Sequence, residues 1–264
     1  MQRILVLDSG VGGLSVAGAV REALPDLAMV YLADNAWFPY GQRSEADLIG
    51  RLVHLVDAAL EDYPCDAVVV ACNTASTIVL NALRARFPHP IVGVVPPIKT
   101  AGEVSQTRVI GLLATEATVT RDYVKNLVEQ FAADCTLVSV GSPRLAEMAE
   151  EKLRGESVDP ETLRTILQPF FGVGAPSVDT VVLGCTHYPL VLDELRSASP
   201  SHVRWLDSAP AIARRVAQVL GEQPLNGKHY LDAVLFTANV EGATSLNRFL
   251  SKLRLPAATR WPTN

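Results

Sequence analysis

Two short stretches of the 264-residue chain close an apolar run with a cysteine and then switch to polar residues. In VVVACNTAS, Cys72 is followed by Asn73 and Thr74; in VVLGCTHYP, Cys185 is followed by Thr186 and His187. Each run has the composition of a buried strand, and each is followed by residues that suit a helix start. A thiol in that position feels the partial positive charge of the helix N-terminus. Its pKa is therefore expected to drop below the free value of about 8.5. The hydroxyl and amide side chains, with the free N–H groups of the helix start, form a cradle for carboxylates.

A pair of such thiols facing one cleft suits one kind of chemistry. To invert a stereocentre, a base removes a proton from one face of a carbon and an acid returns a proton to the other. A matched pair performs this in both directions with the roles exchanged. The scheme needs no metal or organic cofactor. The four cysteines, Cys65, Cys72, Cys135 and Cys185, include no CxxC pair, and only His187 lies near one of them in sequence, so no zinc site is expected. A pyridoxal cofactor would need a Schiff-base lysine, and no lysine stands in a telling context.

The cysteines must be carried by strand ends, and the rest of the chain supplies strands. RILVL, AMVYLA, DAVVVA, PIVGV, RVIGLL, CTLVSV and DTVVLG are continuous β-branched or aliphatic runs, as expected for parallel strands covered on both faces. Helical patterns separate them. SEADLIGRLVHLVDAALEDY places Leu48, Ile49, Leu52, Val53, Val56 and Leu60 on one stripe, with Ser44 as its N-cap. The expectation is an α/β protein built as two pseudo-symmetric lobes, each an open, mostly parallel sheet flanked by helices, with the active site between them. LDSGVGG near the start and LDSAPA further on are a second matching pair beside the two cysteine segments. With Pro96-Pro97 and Trp205–Asp207 as crossings, residues 1–96 plus 208–264 form the first lobe and 97–207 the second.

Bulk properties narrow the class. The chain is 48% hydrophobic with a net charge of −5, enough for a sizeable core and ill suited to phosphate backbones, so nucleic acid is not an expected partner. No apolar run approaches the roughly 20 residues that cross a bilayer, nor is there a secretory signal, so a soluble cytoplasmic protein is expected, with no membrane partner.

DSGVGGL, DNAWFPYG, VVACNTAS, VVPPIK, LLATEATV, LGCTHYPL and DSA follow one another in an order and spacing that resembles bacterial glutamate racemases of the aspartate/glutamate racemase family. The match runs from about Leu5 to at least Val219. The resemblance implies the two-lobed fold and cofactor-independent interconversion of L- and D-glutamate, the latter for peptidoglycan. It makes Cys72 the thiol that takes the α-proton of D-glutamate and Cys185 that of L-glutamate. Asp8 then assists Cys72, His187 assists Cys185, and Glu150 orients His187, with Glu147 as the alternative. Asp8, Ser9, Tyr40, Gly41, Asn73, Thr74, Thr186 and His187 match positions that hold the substrate's carboxylates and ammonium group. Most members are homodimers. Some carry an N-terminal extension and need a cell-wall precursor as activator; here the first strand begins almost at Met1, yet MAEEKLRG looks closest to that subgroup.

Other readings stand beside these. Cys65 and Cys135 lack polar neighbours of the same kind and read as buried structural thiols. DSGVGG falls short of a dinucleotide fingerprint and reads as a tight turn exposing Asp8 and Ser9, its glycines serving the backbone. Asp207-Ser208 reads as a helix N-cap, and His54, His89, His202 and His229 receive no role. A related racemase or decarboxylase acting on aspartate or a hydantoin, or a two-lobed binding protein for an acidic metabolite with inert thiols, are the competing functions.

Overall fold

The computed structural model describes residues 2–221 and 230–262; His229 and the last residues assigned to the first lobe lie outside them. The strands are β1 (Arg3–Asp8), β2 (Ala28–Ala33), β3 (Ala67–Val70), β4 (Ile91–Gly93), β5 (Val109–Ala114), β6 (Thr136–Gly141), β7 (Thr180–Gly184), β8 (Arg204–Leu206), β9 (Ala233–Phe236) and β10 (Thr259–Arg260). They form two sheets, ordered β10-β9-β2-β1-β3-β4 and β6-β5-β7-β8. Every pairing among them is parallel.

Continuous apolar strands are explained by what covers them. Ile4 and Val6 of β1 pack with the helices Leu14–Ala23, Ala209–Gly221 and Ala243–Lys252 on one face. Leu5 and Leu7 pack with Glu45–Asp62 and Asn73–Arg86 on the other. With both faces dry, the middle of the strand is apolar at both register positions. The second sheet repeats the arrangement: Leu113, Val181 and Leu183 face Pro143–Arg154 and Pro160–Phe171, whereas Ile110, Leu112 and Val182 face Ile98–Val104 and Asp122–Phe131. Ser44 caps Glu45–Asp62 as the pattern predicts, its Oγ accepting from Asp47 N at 3.2 Å.

The strand orders reveal which segments correspond. β2-β1-β3-β4 maps onto β6-β5-β7-β8, so β3 corresponds to β7 and their following cysteines, Cys72 and Cys185, are equivalent. Asp8-Ser9 and Asp207-Ser208 are not: the first pair follows β1, whose counterpart is β5, and the second follows β8, the counterpart of β4. Their shared letters reflect a common need to start a helix. Asp207 Oδ1 accepts from Ala209 N at 2.7 Å, as a capping residue does. Ser208 Oγ also donates to the Val95 carbonyl at 2.8 Å, joining the two places where the chain crosses between sheets.

Candidate active site

The carboxyl ends of the two sheets meet. Asp8 ends β1, Cys72 follows β3, Thr115 follows β5 and Cys185 follows β7, and side chains from all four segments share one buried seam. Thr74 Oγ1 lies 3.3 Å from Thr115 Oγ1, and Thr115 Oγ1 lies 2.9 Å from Thr118 Oγ1, a hydroxyl chain that spans the two lobes.

On the first lobe, Cys72 is the N-cap of Asn73–Arg86 and is only 8% exposed. Burial pushes its thiol pKa well above the ordinary range, and the nearby Asp8 charge adds to the rise. The N–H groups of Ala75 and Thr74 oppose this at the helix start, as the sequence predicts, but they do not prevail. The expected lowering is thus overturned for Cys72 by desolvation. Asp8 is wholly buried rather than exposed by its turn. Burial raises its pKa, against the lowering effects of His187 and of the Gly13 and Gly10 N–H groups. Those two groups donate to Asp8 Oδ2 at 3.0 and 3.1 Å. Ser9 is buried beside it. Among the described residues neither Asp8 Oδ1 nor Asn73 Oδ1 meets a hydrogen-bond donor.

On the second lobe the partner of the cysteine is a histidine. Cys185 Sγ lies 3.8 Å from His187 Nδ1, and His187 Nε2 lies 2.9 Å from Glu150 Oε1. Burial works to lower the His187 pKa, yet its hydrogen bonds to Cys185 and Glu150 and the charges of Cys185 and Asp8 raise it well above the ordinary value. Glu150 is therefore the carboxylate at the histidine, while Glu147 pairs with Arg144 at 3.2 Å. The Phe38 ring packs on His187 with centroids 5.4 Å apart.

The turn Gly10–Gly13 fits between these groups. A Cβ on Gly10 would collide with Glu150 Oε1, and one on Gly12 with the His187 ring. These glycines serve close approach between lobes, which also explains why Asp8 and Ser9 are covered.

Tyr40 and Gly41 sit at the margin. The Tyr40 hydroxyl donates to Asp34 Oδ2 at 3.0 Å, within a network that Arg51 and Thr237 complete, while its ring packs in the same core as Cys72. Gly41 faces Ala117 of the second lobe. Of the remaining thiols, Cys65 is buried, donates to the Tyr63 carbonyl at 3.0 Å and is pushed by burial to about 12. Cys135 is half-buried beside Asp134 and not fully buried as expected, because it stands just before β6, the edge strand of the second sheet.

The void touching Asn73, Cys185 and Thr186 measures about 10 Å³, around the size of one water molecule. A groove of about 540 Å³ borders Val11, Phe38 and Glu150 but reaches neither Cys72 nor Cys185. Among the described residues no cluster of three or more His, Cys, Asp or Glu side chains could hold a metal ion.

Buried thiols at equivalent strand ends, one backed by a carboxylate and one by a histidine–carboxylate pair, are the arrangement that the motif series implies. The sequence profile of the family described as Asp/Glu/Hydantoin racemase matches residues 14–216. The chain belongs to this family. Racemase relatives include the glutamate racemase of Photorhabdus laumondii, 51% identical over 220 residues that cover 83% of this chain and 76% of the relative. Among solved structures, Escherichia coli glutamate racemase in complex with L-glutamate and activator UDP-MurNAc-Ala superposes with a TM-score of 0.93 at 43% identity, covering 99% of this chain and 98% of that one. Thermus thermophilus glutamate racemase in complex with β-chloro-D-alanine gives 0.76 at 31% identity, covering 99% and 97%.

Sequence reasoning missed several residues of this racemase's seam. Thr115 and Thr118 stand in LLATEATV three residues apart after a strand, a signal as good as that of Cys72-Asn73-Thr74. Ser15 carried no signal, and Phe38 stood in DNAWFPYG with no role of its own, because each matters through a contact with the other lobe.

Proposed function

We propose that this racemase interconverts L- and D-glutamate without a cofactor by a two-base mechanism, supplying D-glutamate for peptidoglycan. The observation that carries the reading is that Cys72 and Cys185 occupy equivalent strand ends and face one seam, each with its own proton-holding partner. In one direction Cys72 removes the α-proton of D-glutamate and Cys185 protonates the opposite face. In the other, Cys185 removes the α-proton of L-glutamate and Cys72 returns one. Asp8 exchanges protons with Cys72; His187, oriented by Glu150, does so with Cys185.

The unpaired acceptors Asp8 Oδ1 and Asn73 Oδ1 suit a substrate ammonium group, which carries only donors. Its positive charge beside Cys72 lowers the cost of forming the thiolate there, offsetting a burial that keeps the resting thiol neutral. Thr74, Thr115, Thr118, Thr186 and Ser9, with the N–H groups at the start of Asn73–Arg86, are suited to the two carboxylates, and Tyr40-Gly41 is the further binding element. Holding the α-carboxylate by oriented donors spreads the charge that develops as the α-proton leaves.

The lobes of this reading are 1–96 plus 208–264 and 97–207, consistent with the division of strands between sheets. A cytoplasmic homodimer that responds to a cell-wall precursor completes it. The E. coli relative is crystallised with such an activator, and among the described residues no helix is long and apolar enough to cross a membrane.

Initial rates on L-glutamate, L-aspartate and L-glutamine, with and without UDP-MurNAc-Ala, test the substrate. Glutamate is expected to be favoured; a preference for aspartate would overturn the assignment. Cys72→Ser and Cys185→Ser are each expected to lower racemisation by about 10²–10⁴-fold, the usual worth of a general acid–base group. Full racemisation by either variant would refute the two-thiol scheme.

A further inference from the structure

Three members of the Cys185 half of the seam are held by the Gly10–Gly13 turn of the opposite lobe and the first residues of the helix Leu14–Ala23 that follows it. Val11 N donates to Glu150 Oε1 at 2.7 Å, Gly12 lies against the His187 ring, and Ser15 Oγ donates to the Thr186 carbonyl at 2.9 Å. Ser15 Oγ also lies 2.8 Å from the Gly12 carbonyl, so its one hydroxyl proton is shared between its own turn and the other lobe. Thr186 stands between Cys185 and His187, and its carbonyl lies in the Thr186–His187 peptide plane, so holding it orients the imidazole relative to the thiol one residue earlier. The same turn holds Asp8 through Gly10 N and Gly13 N.

We propose that Ser15 is a positioning residue for the Cys185 half-site: by holding the Thr186 carbonyl across the seam it sets the thiol–imidazole geometry for proton transfer at the L-glutamate face. Ser15 touches no reacting atom and acts through Thr186. The proposal rests on the two-thiol reading given above.

Enantiomers have equal free energies, so losing Ser15 cannot favour one direction in kcat/KM. Both directions must fall together. What distinguishes a damaged Cys185 half-site is which proton transfer limits the rate. If the Cys185 step is slowed, removal of the α-proton from L-glutamate becomes more limiting. Removal from D-glutamate by Cys72 becomes reversible before a slower protonation.

The experiment measures primary deuterium isotope effects on kcat/KM with α-deuterated L- and D-glutamate for the unaltered protein, Ser15→Ala and Ser15→Thr. Ser15→Ala is expected to lower kcat/KM in both directions by about tenfold, the worth of one hydrogen bond. Its isotope effect should rise for L-glutamate and fall for D-glutamate, and Ser15→Thr, which keeps the hydroxyl, should restore both. Isotope effects that stay fixed or move in the same direction would overturn the proposal, since a general loss of folded protein changes rates without moving them apart. Should Ser15→Ala fail to fold, Ser15→Cys, with its weaker donor, carries the same comparison and the same criterion. An unaltered protein that fails to racemise glutamate even with UDP-MurNAc-Ala present would overturn the two-thiol reading itself and the proposal with it.

Discussion

At the scale of single residues, the two cysteines are equivalent in position but not in company. Cys72 lies near the Asp8 carboxylate, whose pKa burial raises, and Cys185 meets an imidazole whose pKa is raised by its hydrogen bonds to the thiol and to Glu150. The cysteines, Asp8, Asn73, Thr74, Thr186 and His187 were legible because their types and order carry chemistry. What was not legible was the electrostatic balance: a helix start argues for a lowered thiol pKa, and only the packed seam shows that desolvation outweighs it at Cys72. The His187 value gives a sign that can be tested. Its folded-state pKa lies above its unfolded value of about 6.5, so this contribution to stability is full below that pH and is lost as pH rises through the folded value. Glu150→Gln removes the hydrogen-bonded carboxylate that helps raise it. The stability lost in this variant, from urea melts, is expected to be largest between about pH 5 and 6.5 and to shrink at higher pH. A loss that grows with pH would contradict the assignment.

At the scale of elements, the strand runs were readable because sheets covered on both faces leave apolar residues in sequence without interruption. The short strands β8, β9 and β10 gave weaker signals, being three, four and two residues long. The pairing of Asp8-Ser9 with Asp207-Ser208 failed for a general reason: small polar residues recur wherever a strand gives way to a helix, whatever the ancestry of the segment. One residue without a catalytic role ties elements together in a way that can be measured. Asp179, just before β7, accepts from Ser105 Oγ at 2.7 Å and from Gln106 N and Thr107 N at 2.6 and 2.9 Å, pinning the start of the neighbouring β5. Burial alone would raise its pKa, but these hydrogen bonds outweigh it and bring it to about 2. A depressed carboxylate stabilises the fold above its unfolded value and ceases to do so as pH falls through the folded one. Asp179→Asn is therefore expected to lower the melting temperature at neutral pH, with the gap to the unaltered protein closing between about pH 4 and 2. A gap that persists at the acid end would refute it.

At the scale of the whole molecule, the buried seam must open. A void of about 10 Å³ beside Cys185 admits no amino acid, so glutamate reaches the thiols only when the lobes separate. The cross-lobe bonds of the turn after β1 are what separation breaks. Val11 N is bonded to Glu150 of the other lobe, whereas Gly13 N is bonded to Asp8 of its own. Hydrogen exchange at Val11 is accordingly expected to be faster than at Gly13 and to slow when D-glutamate is added. Equal protection of the two amides, unaffected by substrate, would contradict opening at this seam.

The central claim is that two thiols act on opposite faces of one carbon, and incubation with L-glutamate and, separately, D-glutamate in D₂O without added cofactor tests it most directly. Polarimetry and α-proton NMR would be followed together from the first turnovers. The account predicts loss of optical rotation from either enantiomer, with deuterium at the α-carbon of the product while the unreacted enantiomer keeps its protium. A product that carries the substrate's own α-proton would mean that one base serves both faces, and it would contradict the account.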